Sequence, residues 1–514
     1  MAEKIFFNEV KTLSKLISDY IYSPEKLNEF FAERPQIESF QKAIDNRLEV
    51  NRNLLAEQLL EQNKKMNINS LNNIELIKSK KTFTVTTGHQ ICLFTGPLYS
   101  LYKIVSTINL TRKLKEHYPD NDFVPVFWMA TEDHDFEEIN HIYFKNEKLT
   151  WDSKQSGPVG RFELNDIQTF LNQVEEKINS ELFRNLKTYY SSSSNLAEAH
   201  RKIIDDLFGE YGVVTIDADS KALKKEMIPI FKNELVDSVS FDSVTNSSSK
   251  LFEKGYKTQV NPREINLFYQ ENGLRERIIK EDSSYQILNT NKTFNEKEIL
   301  LELENHPEKF SPNVILRPVY QEKILPNLAY IGGPGELAYW LQLKETFESL
   351  KVSFPTLVLR NSAILMESKI QKKIDQLPFE LKHYFKPEDE LISKYVNDTS
   401  EISFEKEISE IEKVFEIAKD KATQIDFSLE KSVIAELKRA QNSFNKIQKK
   451  VTKAEKVNHE VAINRIKAIK ESIFPSGTFQ ERKSNVLEFY HADLIKNLID
   501  DLISLEDSIT LIPL

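Results

Sequence analysis

Cysteine occurs once in the 514 residues, at Cys92. A single thiol excludes an internal disulfide, and no cysteine cluster exists to hold zinc. Glycine is scarce too, with 12 residues, so it falls where the backbone must turn tightly or approach a ligand. No run approaches the ~18 apolar residues of a membrane span. The opening stretch MAEKIFFNEVKTLSKLISDY carries Glu3, Glu9 and Asp19 and lacks the apolar core of a signal peptide. Positive charge is not in excess: 69 Lys and Arg against 79 Asp and Glu leave a net charge of −10, which argues against nonspecific nucleic-acid binding. A cytoplasmic protein is expected, with neither nucleic acid nor membrane as a partner.

What is present is a large apolar complement, 40% of residues, with 29% charged. That is material for two to four domains of ~100–200 residues each. Residues 1–80 read as helices. Short apolar runs follow: TFTVTT (82–87), FVPVFWMA (123–130), GVVTID (212–217), NVILRPVY (313–320), LAYIGG (328–333) and PTLVLR (355–360). Each reads as a strand, with a helical pattern at 97–117 between the first two. Strands alternating with helices predict an α/β parallel sheet with right-handed crossovers. Residues 146–200 and 256–310 break the rhythm and read as insertions, the second as β-hairpins turning at Asn272-Gly273. The segments are therefore 1–145, 146–200, 201–255, 256–310, 311–387, 388–474 and 475–514.

Residues 388–474 contain no glycine and no proline. Phe404, Ile408, Ile411, Phe415 and Ala418 form one heptad seam, and Leu437, Ala440, Phe444, Ile447, Val451 and Ala454 a second, with Asn458 at its next position. TQIDFS (423–428) turns the chain between them. The pattern predicts an antiparallel helical hairpin, either packed on its own chain or used as a dimerisation arm.

Four clusters carry candidate chemistry. In TTGHQICLFTGPLYSLYK (86–103), Gly88-His89-Gln90 ends a strand, with Thr95 as N-cap and Pro97 in the first turn of a helix. A strand end facing a helix N-terminus favours an anion, which His89 would help to hold, unless the turn is only structural. Cys92 reads as a nucleophile or as a buried thiol, and its apolar neighbours favour the latter. In WMATEDHDFEEINH (128–141), Glu132, Asp133, His134 and Asp135 follow a strand, where such sheets bind ligands. They could bind metal with His141, act as a base, or hold an ammonium group; the spacing matches no common zinc motif. In LRPVYQEKILPNLAYIGGPGELAYWLQLK (316–344), Gly332, Gly333 and Gly335 precede Glu336 and Tyr339. Arg317, Arg360 and Lys103 are candidate partners for a carboxylate or phosphate. The fourth cluster, PSGTFQERKSN (475–485), is a return loop or a ligand loop containing Gln480, Glu481 and Arg482.

Taken together and in this order, the four motifs resemble the bacillithiol biosynthesis cysteine-adding enzyme family, BshC. The resemblance implies a Rossmann-like core with two connecting-peptide insertions and a coiled-coil arm that forms a homodimer. It implies ligation of L-cysteine to glucosaminyl-malate, the last step of bacillithiol synthesis, with ATP or ADP as the nucleotide and no metal assigned. On that reading His89, Glu132, Asp133 and His134 are catalytic. Gly88, Gln90, Lys103, Arg317, Gly333, Glu336 and Tyr339 bind substrate, and Gln480, Glu481 and Arg482 belong to a second, nucleotide site. The alternatives are a nucleotide-binding scaffold with a dimerising coiled coil and a metal-dependent hydrolase centred on His134.

Overall fold

A computed structural model describes residues 3–178, 180–282, 284–399 and 404–514. The helices expected over 1–80 and 388–474 include positions 1, 2 and 400–403, which lie outside the described residues. The chain divides into two units, residues 1–365 with 480–512 and residues 366–479 with 513–514.

The first unit is organised by five parallel strands, β1 (Thr82–His89), β2 (Asp122–Met129), β3 (Val214–Asp217), β4 (Asn327–Gly332) and β5 (Thr356–Leu359), in the order β5-β4-β1-β2-β3. Both faces are covered, so β1, β2 and β4 are buried almost throughout. Three of the four buried threonines of β1 are tolerated because their hydroxyls have partners, Thr82 being the exception. Thr84 and Thr86 donate to Asn327 Oδ1 (3.2 and 2.8 Å) and Thr87 to the Ile331 carbonyl (2.8 Å). The crossover from β1 to β2 is the helix Leu98–His117, largely buried between them. From β1 the chain runs outward to β2 and β3, then returns to the other side for β4 and β5. That reversal between β1 and β4 opens a crevice at the carboxyl ends of the strands.

One expected strand is a helix. NVILRPVY folds into Leu316–Ile324. Asn313 Oδ1 accepts from the amides of Ile315 and Leu316 (2.9 and 3.3 Å), and Pro318 sits in the first turn, where its missing N–H costs no hydrogen bond. A short apolar run alone does not separate a buried helix from a strand.

The second insertion is a separate five-stranded antiparallel sheet. Its strands are Leu267–Glu271, Leu274–Glu281, Ser284–Ile287, Thr293–Asn295 and Phe310–Pro312, and Asn272 and Gly273 (φ +72°) connect the first two. The stretch after position 140 holds the hairpin His141–Phe144 with Glu147–Thr150 and the helices Gln168–Lys177 and Glu181–Ser192. Near the start of the chain, Lys4–Phe6 pairs antiparallel with the strand Ser508–Pro513.

The second unit holds a helical hairpin, Glu405–Thr423 and Glu430–Asn458, antiparallel as the contacts of Phe404 with Phe444 (6.3 Å between rings) and Gln441 with Glu412 (2.7 Å) require. Phe404, Ile408, Ile411 and Phe415 are half-buried, as are Leu437, Ala440, Phe444 and Val451. Ala418, Ile447, Ala454 and Asn458, expected on the seams, are exposed instead. The half-buried positions include 437, 440, 444, 448, 451 and 455, with 441 and 456 beside them. Two successive steps that include a 4-4 spacing follow the natural drift of a 3.6-residue helix away from a strict heptad, which moves the seam from Ile447 to Gln448. Among the described residues, no helix is long and apolar enough to cross a membrane.

Candidate active site

The carboxyl ends of β1, β2 and β4 open into one cavity of about 840 Å³. Gly88, His89, Gln90, Glu132, Asp133, His134, Arg317, Gly333, Glu336, Tyr339 and Arg482 all line it, so residues from all four sequence motifs meet there. Lys103, Gln480 and Glu481 do not. Lys103 Nζ is buried beneath the cavity, bonded to the Gly88 carbonyl and to both carboxylate oxygens of Glu336 (Oε1 2.9 Å, Oε2 2.8 Å). Gln480 exchanges two hydrogen bonds with the backbone of Leu365 (2.8 and 3.0 Å). Glu481 accepts a bidentate pair from Arg360 (2.6 and 3.0 Å) and a bond from Ser362 (2.6 Å). These two side chains tie the returning segment to the sheet domain, and only Arg482 of the three faces a ligand space.

The turn after His89 is tighter than its sequence suggests. Phe94, Thr95 and Gly96 all have positive φ (48°, 68° and 71°), so Thr95 does not cap the helix; Pro97 precedes it instead. A Cβ on Gly96 would lie 2.6 Å from that of Cys92, which requires glycine there. The helix N-terminus is closed by protein rather than open to an anion: Leu98 N–H donates to the Ser484 carbonyl (3.0 Å), and the Asn485 amide donates to Phe94 O and Gly96 O (3.1 and 2.9 Å). Cys92 is buried, and burial with Glu138 nearby pushes its thiol up to about 12, which makes it a packing residue.

Electrostatics sort the remaining groups. Burial would raise Glu336, but Lys103, Tyr330 Oη (2.7 Å) and the Gly333 amide (2.9 Å) outweigh it and hold the carboxyl near 2. Burial and the Lys103 ammonium push His89 down to about 3, so its ring is neutral. Glu132 is raised by burial and paired with the fully buried Lys224 (2.5 Å), which also meets Asp219 (3.4 Å). Asp133 is held low despite burial, because Gln90 donates to Oδ2 (3.0 Å), the His134 amide donates to Oδ1 (2.7 Å) and Arg275 lies nearby. Gln90 also donates to Glu138. His134 and His141 do not assemble a metal site: among the described residues no three His, Cys, Asp or Glu side chains converge as ligands.

The wall opposite the strand ends comes from the second insertion and was not named from the sequence. Arg263, Phe268, Arg275 and Arg277 line the cavity. Arg275 and Arg277, two apart on one strand, share a face; the alternation in LRERI was the signal that could have found them. Arg275 is buried and fully bonded. The side chains of Arg263, Arg277 and Arg482 make no hydrogen bond or ion pair among the described residues. Arg317 donates to Gln321 (3.1 Å) and lies over the Trp128 and Tyr330 rings (5.8 and 5.7 Å), while its buried Nη2 has no partner.

Known protein families match both parts of the chain. The family model for the bacillithiol biosynthesis BshC N-terminal Rossmann-like domain matches residues 2–361, and that for the BshC C-terminal coiled-coil domain matches residues 363–514. A Flavobacterium psychrophilum protein named "Putative cysteine ligase BshC" is 44% identical over 506 residues, covering 95% of each chain. Proteins of the same name from Flavobacterium johnsoniae (43% identical, covering 93% of this chain and 92% of the relative) and Christiangramia forsetii (40%, covering 98% and 97%) are similar along their whole lengths.

Proposed function

We propose, because the chain belongs to the BshC family of bacillithiol biosynthesis, that it joins L-cysteine to glucosaminyl-malate through an amide bond, the last step of that synthesis. The chain is a ligase, in keeping with relatives named as cysteine ligases. The substrate pair, a cytoplasmic setting and a homodimer formed through the coiled-coil domain extend that reading.

The observation that carries the proposal is the surplus of guanidinium groups around one cavity. Among the described residues Arg263, Arg277 and Arg482 have no acidic partner, and Arg317 has a buried nitrogen without a hydrogen bond. Arg277 is half-buried and Arg317 keeps a buried nitrogen without a partner, which favours an anionic ligand, while Arg263 and Arg482 are exposed at the rim of the cavity. Glucosaminyl-malate brings two carboxylates and cysteine a third. The acids of the cavity are bonded already, so they add little repulsion; Asp133 and Glu138, joined through Gln90, mark where the incoming amine is held.

Amide formation needs an activated carboxyl carbon, a neutral attacking amine and stabilisation of the oxyanion that forms. Activation is assigned to ATP, whose phosphates suit the same unpaired arginines. His89 and His134, both held toward the neutral form, stabilise developing negative charge better than they store a proton. Incubating the protein with glucosaminyl-malate, cysteine and ATP, followed by mass spectrometry, tests the proposal. The expected result is the amide together with AMP or ADP; the absence of both the amide and nucleotide cleavage would refute it.

A further inference from the structure

The loop after β2 and the inserted sheet meet at a hydrogen bond between Arg275 Nη1 and His134 Nδ1 at 2.7 Å. A guanidinium has only donors, so Nδ1 is the acceptor and the neutral ring carries its proton on Nε2. Arg275 is not free to move away. Its Nε donates to Ser311 Oγ and its Nη2 to the Pro312 carbonyl, both at 3.1 Å. Its Cζ lies 4.0 Å from the centroid of the Phe268 ring, and the His134 ring packs on the same phenyl group at 5.3 Å. His134 lines the cavity, and its Nε2 has no partner among the described residues.

We infer that Arg275 is a positioning residue which fixes His134 as a hydrogen-bond donor, through Nε2–H, to negative charge on the bound ligand. The inference rests on the ligase reading for the identity of that charge, the oxyanion of amide formation. It assigns His134 a role opposite to that of a base. To accept a proton at its only lone pair, Nδ1, the ring would have to present an N–H to a guanidinium N–H 2.7 Å away. That contact is repulsive between two donors, so protonation requires breaking the bond to Arg275.

The surrounding charges do not reverse this. Asp133 Oδ1 lies 3.8 Å from Nδ1, and Asp135 and Glu276 also face the ring; all three favour its protonation. Burial and Arg275 act the other way and prevail, leaving the ring below the usual histidine range. Arg275 thus connects the insertion to the chemistry of the core. A cation from the second sheet decides which nitrogen of a core histidine carries the proton.

The test is NMR of the full-length protein labelled with 15N-histidine, with His134→Gln to assign the signal. Wild type is expected to show the Nε2-protonated neutral tautomer, still neutral at pH values where an exposed histidine has titrated. In Arg275→Met, His134 is expected to titrate at higher pH, and the acid limb of kcat/KM to move up with it. The kcat is expected to fall by about 100-fold, the effect of losing one oriented donor. Arg275→Lys keeps the charge but not the fork geometry and is expected to restore the titration better than the rate. A wild-type ring protonated on Nδ1 overturns the inference without any variant, whatever the folding of Arg275→Met. An unchanged titration and pH profile in that variant also overturns it. Absence of amide product from wild type, with the tautomer as described, overturns the ligase reading and the catalytic half of the inference, while the NMR result stands separately.

Discussion

On the floor of the cavity the charges answer one another: Lys103 meets Glu336, Arg360 meets Glu481, and Lys224 meets Glu132. On the inserted wall Arg263 and Arg277 meet no partner among the described residues. The two regions face the same space with similar residues, yet the physics separates their roles. A buried pair shapes the site and cannot be opened without leaving a charge stranded. An unpaired arginine at a cavity wall contributes little to the fold and stands ready for an anion. Changes on the floor should therefore appear first in stability, and changes on the wall first in substrate binding.

The largest effect tests the floor. Lys103→Met leaves the half-buried Glu336 without its counter-charge and is expected to destabilise the protein by about 3 kcal/mol, measured by chemical denaturation. Lys103→Met with Glu336→Gln is expected to recover part of that loss, since the stranded charge is removed. The same pair sets a pH dependence. The Glu336 carboxyl lies near 2 in the folded protein against an ordinary value of 4.5. Its contribution is fully present above pH ~4.5 and is lost as pH falls toward 2. Acid unfolding of Glu336→Gln is thus expected to be less steep across that window.

Next in size is the chemistry. His89→Ala is expected to lower kcat by about 100-fold, the loss of one site that stabilises developing charge, with the melting temperature little altered. A drop in stability as large as that of Lys103→Met would place His89 among the structural residues of the floor. Smaller still, Arg263→Ala and Arg277→Ala are each expected to cost about 1.5–3 kcal/mol in kcat/KM for the amine substrate, through KM, with melting unchanged. If either variant melted early while KM held, the contrast between wall and floor would fail.

How much of this was legible in the sequence follows the same division. The strands at 82–87, 123–130, 212–217, 328–333 and 355–360 were readable because they are buried on both faces and so run apolar without interruption. The motifs following β1, β2 and β4 were readable because glycine is scarce and ionisable residues cluster at strand ends. The helix at Leu316–Ile324 was not, because its apolar run is too short for periodicity to decide. Lys103 was misread because nothing local distinguishes a cation bound to a carboxylate 233 residues away from one facing a ligand. Gln480 and Glu481 failed similarly, their partners being the backbone of Leu365 and the Arg360 guanidinium. The inserted wall was missed because no glycine or strand end marks it.

The smallest expected effect concerns the residue that draws the eye first. Cys92 Sγ lies 4.0 Å from His89 Nε2, a spacing that invites comparison with a nucleophile and its base. The environment argues otherwise: burial raises the thiol to about 12 and drives His89 down to about 3, so neither a thiolate nor an imidazolium is favoured. An ion pair in that position would need both shifts reversed. Cys92→Ala keeps the Cβ that packs against Gly96 and removes only sulfur. It is expected to cost about 1 kcal/mol of stability and to leave kcat and its pH profile in place. Native wild-type protein is correspondingly expected to resist alkylation at Cys92 until it unfolds. Rapid alkylation, or loss of kcat out of proportion to the loss of stability, would move Cys92 from the packing of the turn into the chemistry.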